Sequence, residues 1–184
     1  MQTAQVVALI AFLLVAIAVA LGARRTGSIL SRTRVAEGFR GDVTDLARRV
    51  ETSLGEVSVL IDGVRRRDVE PETISPSLAA ARDAVERYVD EARSLAAPTI
   101  AARHRDAIVH ELERAGRALE LVEHGCVLYG TGRRLERGTE ADIAVKRGYL
   151  NLVHARESIV EQAKVAVERA EDASPVRRIH RRNA

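Results

Sequence analysis

The chain has no tryptophan, only two phenylalanines and three tyrosines, so stacked aromatic rings cannot supply its core. Apolar packing must come from Val, Leu, Ile and Ala, an alphabet that suits packed helices. A single cysteine, Cys126, excludes an internal disulfide, and nothing in the composition demands an oxidising compartment. Cys126 itself reads as a small buried apolar residue on a helix. Nowhere do apolar and polar residues alternate with period two, so no sheet is expected.

Motifs for chemistry are also missing. "GTGRR" at 130–134 has Leu135 where the dinucleotide fingerprint needs a glycine, no strand precedes it, and the P-loop pattern GxxxxGK[ST] is absent. His104, His110, His124 and His154 form neither HExxH nor a Glu-x-x-His pair. They read as solvated or hydrogen-bonded residues rather than metal ligands. No serine, cysteine or lysine has the surroundings of a nucleophile. The expectation is a protein that is not an enzyme, with no cofactor and no metal.

What the chain does have begins at its first residues. From Met1 to Ala23 there is no charge, and Val6 to Ala23 is 18 residues, which as a helix spans about 27 Å, close to the hydrocarbon thickness of a bilayer. Eleven of those residues are Val, Leu, Ile or Phe, giving an insertion free energy of about −3 to −7 kcal/mol. A cleaved signal peptide carries positive charge before its apolar core, whereas here Arg24 and Arg25 follow it. The run reads as a retained transmembrane anchor. The positive-inside rule then holds Arg24, Arg25, Arg32 and Arg34 in the cytoplasm and leaves the N-terminus outside.

Charge is unevenly spread. Residues 23–41 hold five arginines and one glutamate, and residues 173–184 hold four arginines and no acid. Of the 29 basic and 26 acidic residues, 20 and 25 remain between 42 and 172, a net of −5. Two basic ends flank a mildly acidic body.

Periodicity gives the body its form. Val43, Leu46, Val50, Val57, Leu60 and Val64, widened by Leu54 and Ile61, predict a helix of about 25–30 residues with one apolar face. Pro71 and Pro76 end it, and Ser75 before Pro76 reads as the N-cap of a second helix. Leu78, Ala81, Val85, Tyr88, Ala92 and Leu95 form that helix's stripe up to Pro98. There the apolar phase changes to Ile108, Leu112, Ala115, Leu119, Val122, Cys126 and Tyr129, which predicts a break at Pro98 and a third helix. The glycine-bearing stretch 129–142 ends in a capping-box pattern, Thr139 to Asp142, which would start the last helix at about Thr139. Val145, Tyr149, Leu152, Ile159, Ala163 and Ala166 form its apolar face, ending before Pro175.

The expected organisation is all-α: an anchor at 1–23, a basic juxtamembrane segment at 24–41, an antiparallel four-helix bundle at 42–173 and a basic flexible tail at 174–184. An apolar N-terminal run followed by a four-helix body is similar in layout to the LemA family of bacterial membrane proteins, in plan and not in residues, and the likeness implies no role for any position.

Arg177, Arg178, Arg181 and Arg182 in the tail are each worth roughly 1 kcal/mol against an anionic leaflet. With Arg24, Arg25, Arg32 and Arg34 they are the candidate membrane-surface residues, and a nucleic-acid partner is disfavoured beside lipid head groups. The functional expectation is a single-pass cell-membrane protein whose cytoplasmic bundle acts as a scaffold or adaptor for a protein partner. The alternative is a ligand-binding or signalling bundle with a pocket between helices around Tyr88, Tyr129 and Tyr149.

Overall fold

A computed structural model describes the backbone of residues 2–131 and 135–172 and the side chains of 33–130 and 138–172. All four prolines lie at or after position 71, so nothing interrupts the hydrogen-bond ladder of the first helix. That helix, α1, runs unbroken from Gln2 to Arg66, about 97 Å at 1.5 Å per residue. It is followed by a 3-10 turn at Pro71–Ile74, then α2 at Ser75–Ser94, α3 at Ala102–Thr131 and α4 at Leu135–Asp172. No strand occurs among the described residues. The four helices pack as an antiparallel bundle in which α4 lies between α3 and α1, and α2 rests on α3 and, less extensively, on α1.

Among the described residues no helix is long and apolar enough to cross a membrane. Of the expected anchor, 1–23, and the basic segment after it, residues 2–32 belong to the part of α1 whose side chains lie outside that description, and Met1 and the tail at 174–184 lie outside the described residues altogether. The buried stripe of α1 starts at Ala36 and Phe39, upstream of residue 42, and continues through Val43, Leu46, Val50, Leu54, Val57, Ile61 and Val64. Leu60 packs at its margin.

Pro98 does separate two helices, because α2 stops at Ser94 and α3 begins at Ala102. The stripe of α3 is buried from Ile108 to Cys126, with Tyr129 half-buried at the end.

Three details differ from expectation. Ser75 is the first residue of α2, not its cap: the cap position is Ile74, which makes no side-chain cap bond and is drawn into the core. In α2 the inward residue is Val89, while Tyr88 sits at the edge of the face, where a phenol ring can cover apolar surface and keep its hydroxyl wet. The last helix starts at Leu135 and not at Thr139. Asp142 lies seven residues inside α4, and its carboxylate is engaged by Tyr129 and Arg67 instead of capping the helix.

The end of α1 is well defined. Asp68 N–H donates to Gly63 O at 2.9 Å and Arg67 N–H to Val64 O at 3.0 Å, the paired bonds of a Schellman motif. Its left-handed position, usually glycine, is Arg67 at φ 68°, a conformation that costs a non-glycine residue about 1 kcal/mol or more.

Candidate functional site

Antiparallel packing gives the bundle two ends, and each gathers candidate residues. At the end where α1 enters, α4 finishes: Arg40 Nη2 lies 2.5 Å from Glu171 Oε1. The fourth pass therefore returns the chain to the level of Arg40, six residues beyond the exposed Arg34. Of the eight candidate membrane-surface residues, Arg34 alone has a described side chain. Arg24, Arg25 and Arg32 lie on the backbone of α1 with side chains outside the description, and Arg177, Arg178, Arg181 and Arg182 lie wholly outside it.

The opposite end holds a polar knot. The Tyr129 hydroxyl donates to Asp142 Oδ1, and Arg67 Nη2 stands 3.4 Å from Asp142 Oδ2, so the chain at the ends of α1 and α3 meets α4 at one carboxylate. Burial and the bond to Asp142 push the Tyr129 phenol up to about 12. Beside it is a cavity of about 420 Å³ that takes Val64, Arg67, Glu72 and Tyr129 into its wall. Cys126, one turn before Tyr129, is buried, and burial together with Glu72 and Glu123 pushes its thiol up to about 11. A thiol so protonated is a poor nucleophile at neutral pH.

The three tyrosines do not converge. Arg49 lies over the Tyr88 ring at 5.5 Å and Arg65 over the Tyr149 ring at 5.4 Å. Those two arginines are 16 residues apart on one helix, about 24 Å. Arg49 also donates to Glu91 and to Asp45, tying α1 to α2 on the outside of the bundle. The Tyr88 and Tyr149 rings thus pack against the core at separate levels of the bundle.

Of the histidines, His104 is buried at the start of α3, its Nδ1 2.8 Å from Gln162 Oε1 on α4 and its Nε2 accepting from Arg103 Nε at 3.1 Å. His110, His124 and His154 are exposed. No cluster of His, Cys, Asp and Glu that could hold a metal ion occurs among the described residues.

Reading by residue type misses Arg67 and gives Asp142 the role of a helix cap, because a left-handed cap and a bond between helices leave no local pattern. It also missed the part played by Gly125 and Gly148, at each of which the facing helix leaves no room for a side chain. A Cβ at Gly148 would stand 2.5 Å from Val122 Cγ2 and 2.8 Å from Ala118 O, and one at Gly125 would stand 2.7 Å from Val145 Cγ2. The available signal was the run of small residues at three-four spacing along α4: Ala141, Ala144 and Gly148.

No family model, no curated protein and no solved structure matches the chain.

Proposed function

We propose that the chain is a non-catalytic scaffold or adaptor, anchored in the cell membrane by residues 1–23, that holds its helical bundle at the cytoplasmic surface to dock a protein partner. The observation that carries this reading is the continuity of α1: one helix joins the charge-free N-terminal run to the bundle core without a hinge. The return of α4 to Arg40 supports its second half. A tail leaving from that end brings Arg177, Arg178, Arg181 and Arg182 to the side where Arg24, Arg25, Arg32 and Arg34 leave the apolar run, so both basic ends address anionic head groups while the acidic body faces away. The alternative of a ligand pocket between the tyrosines has less support, since Tyr88 and Tyr149 lie under surface arginines.

The test places a single cysteine at Ala184 in a Cys126→Ser background and reads a fluorophore there against a quencher carried by lipid. The expected result is retention of the full chain in membranes after alkaline carbonate, with strong quenching in anionic liposomes that weakens with salt. A chain released by carbonate overturns the anchor. An inserted, folded chain without quenching overturns the membrane-facing tail.

A further inference from the structure

The outer side of the seam between α1 and α4 is not closed. A groove of about 480 Å³ runs along it, with Ala47 from α1 and Val160, Ala163 and Val167 from α4 as its floor. Val160 and Val167 stay half-buried although the bundle is complete, so each presents apolar surface with no helix against it. On opposite walls stand Glu51 and Lys164, both exposed and neither in an ion pair among the described residues, whereas the neighbouring Arg48 is already held by Asp45.

We propose that this groove is the interface of a parallel homodimer, with α1 of each copy lying on α4 of the other. The register of the seam carries the argument. Arg40 meets Glu171, and Gly55 meets Arg156, so fifteen residues along α1 match fifteen in reverse along α4, and Glu51 is level with Val160. A two-fold axis parallel to the helices preserves height while exchanging the two helices. It therefore sets Glu51 within about 6 Å in height of the partner's Lys164, four residues away at 1.5 Å per residue.

The pair forms twice, once on each side of the axis, as a self-complementary interface requires. The same operation sets the partner's Val160 and Val167 level with Glu51 and Thr44, one to either side of Ala47 in height, burying the apolar surface that the bundle leaves open. It also sends both N-terminal runs out of one side, which agrees with the membrane reading without depending on it.

The symmetry supplies its own test. Full-length chains carrying two different affinity tags are coexpressed and solubilised in detergent, and recovery of one by the other is measured. Wild-type copies should recover each other. Glu51→Lys alone or Lys164→Glu alone sets like charges together at both pairs and should cut recovery about tenfold.

Coexpressing one chain with Glu51→Lys and one with Lys164→Glu restores opposite charges at both pairs, and should bring recovery back. Glu120→Lys, the same charge change on the side of α2 and α3, should leave recovery at the wild-type level. Wild-type chains that fail to recover each other, single variants that associate as well as wild type, or a mixed pair no better than either variant would each overturn the dimer. None of these outcomes bears on retention in the membrane, which the carbonate wash reads separately.

Discussion

Helix α4 makes two seams, and they are built on different principles. Towards α3 the backbones nest: Gly148 receives Val122 and Gly125 receives Val145, a reciprocal exchange with no room for a methyl group on either glycine. Towards α1 the helices stand off. Gly55 would find only the end of the Arg156 side chain, at 3.4 Å, and an open groove follows. The closed seam is specified by shape, which admits one register. The open one is held by its buried stripe and by long side chains such as Arg40 on Glu171, which leaves a surface free for other uses. Dense packing on one side of a helix does not require it on the other.

The severest way to break the difference is to charge the core that both seams share. Leu112→Asp and Leu152→Asp each place a carboxylate where the native side chain is fully buried. We expect a loss of about 4 kcal/mol or more, read as a collapsed melting transition and lost helicity by circular dichroism.

A finer cut separates the seams. Gly148→Ala forces α3 and α4 apart and should destabilise by about 1–3 kcal/mol. Gly41→Ala, on α1 with nothing within 4 Å of the new methyl, should instead stabilise by up to about 1 kcal/mol through helix propensity. Opposite signs in chemical denaturation sharpen the distinction; the same sign would erase it.

The far end of the bundle adds a dependence on pH. Tyr129 holds its proton to about pH 12 when folded and to about pH 10 when unfolded. Its contribution is thus complete below about pH 10 and is lost as the pH rises towards 12. Tyr129→Phe should flatten this alkaline limb of the stability curve. The buried thiol of Cys126 gives a parallel readout: alkylation at pH 8 should be slow in the native protein and rapid in denaturant.

The smallest effects belong to the surface. Glu113→Ala removes a 2.7 Å pair with Arg93, and Arg156→Ala removes the side chain over Gly55. Each should change stability by less than about 1 kcal/mol.

Much of the fold was legible because apolar periodicity reports burial directly. The stripes of all four helices, and the break at Pro98 with its change of phase, follow from the spacing of Val, Leu and Ile. The errors share a physical origin. Short patterns mark Ser75 and Thr139 as caps, but Ile74 is pulled inward by the core, and α4 extends back to Leu135, four residues before the capping-box pattern. An apolar ring at Tyr88 fits the inward period, yet a phenol hydroxyl favours the edge, and the inward position falls one residue on at Val89. The knot of Tyr129, Asp142 and Arg67 was not legible, because the three residues come from separate helices and meet only once the bundle is assembled. Glycine carries no hydrophobic signal, so the nesting of α3 on α4 at Gly125 and Gly148 falls at positions that a search for apolar residues passes over.

The unbroken course of α1 fixes angle as well as distance. With 100° of rotation per residue, the direction in which Phe39 and Val43 face is phase-locked to every residue upstream on the same helix. Deleting one residue between 24 and 35 would turn the bundle by about 100° relative to the N-terminal run, whereas inserting seven would advance it by about 10 Å and turn it by only about 20°. The helix thus acts as a keyed shaft, on which a change of length in whole heptads is nearly silent and any other change re-aims every face of the bundle.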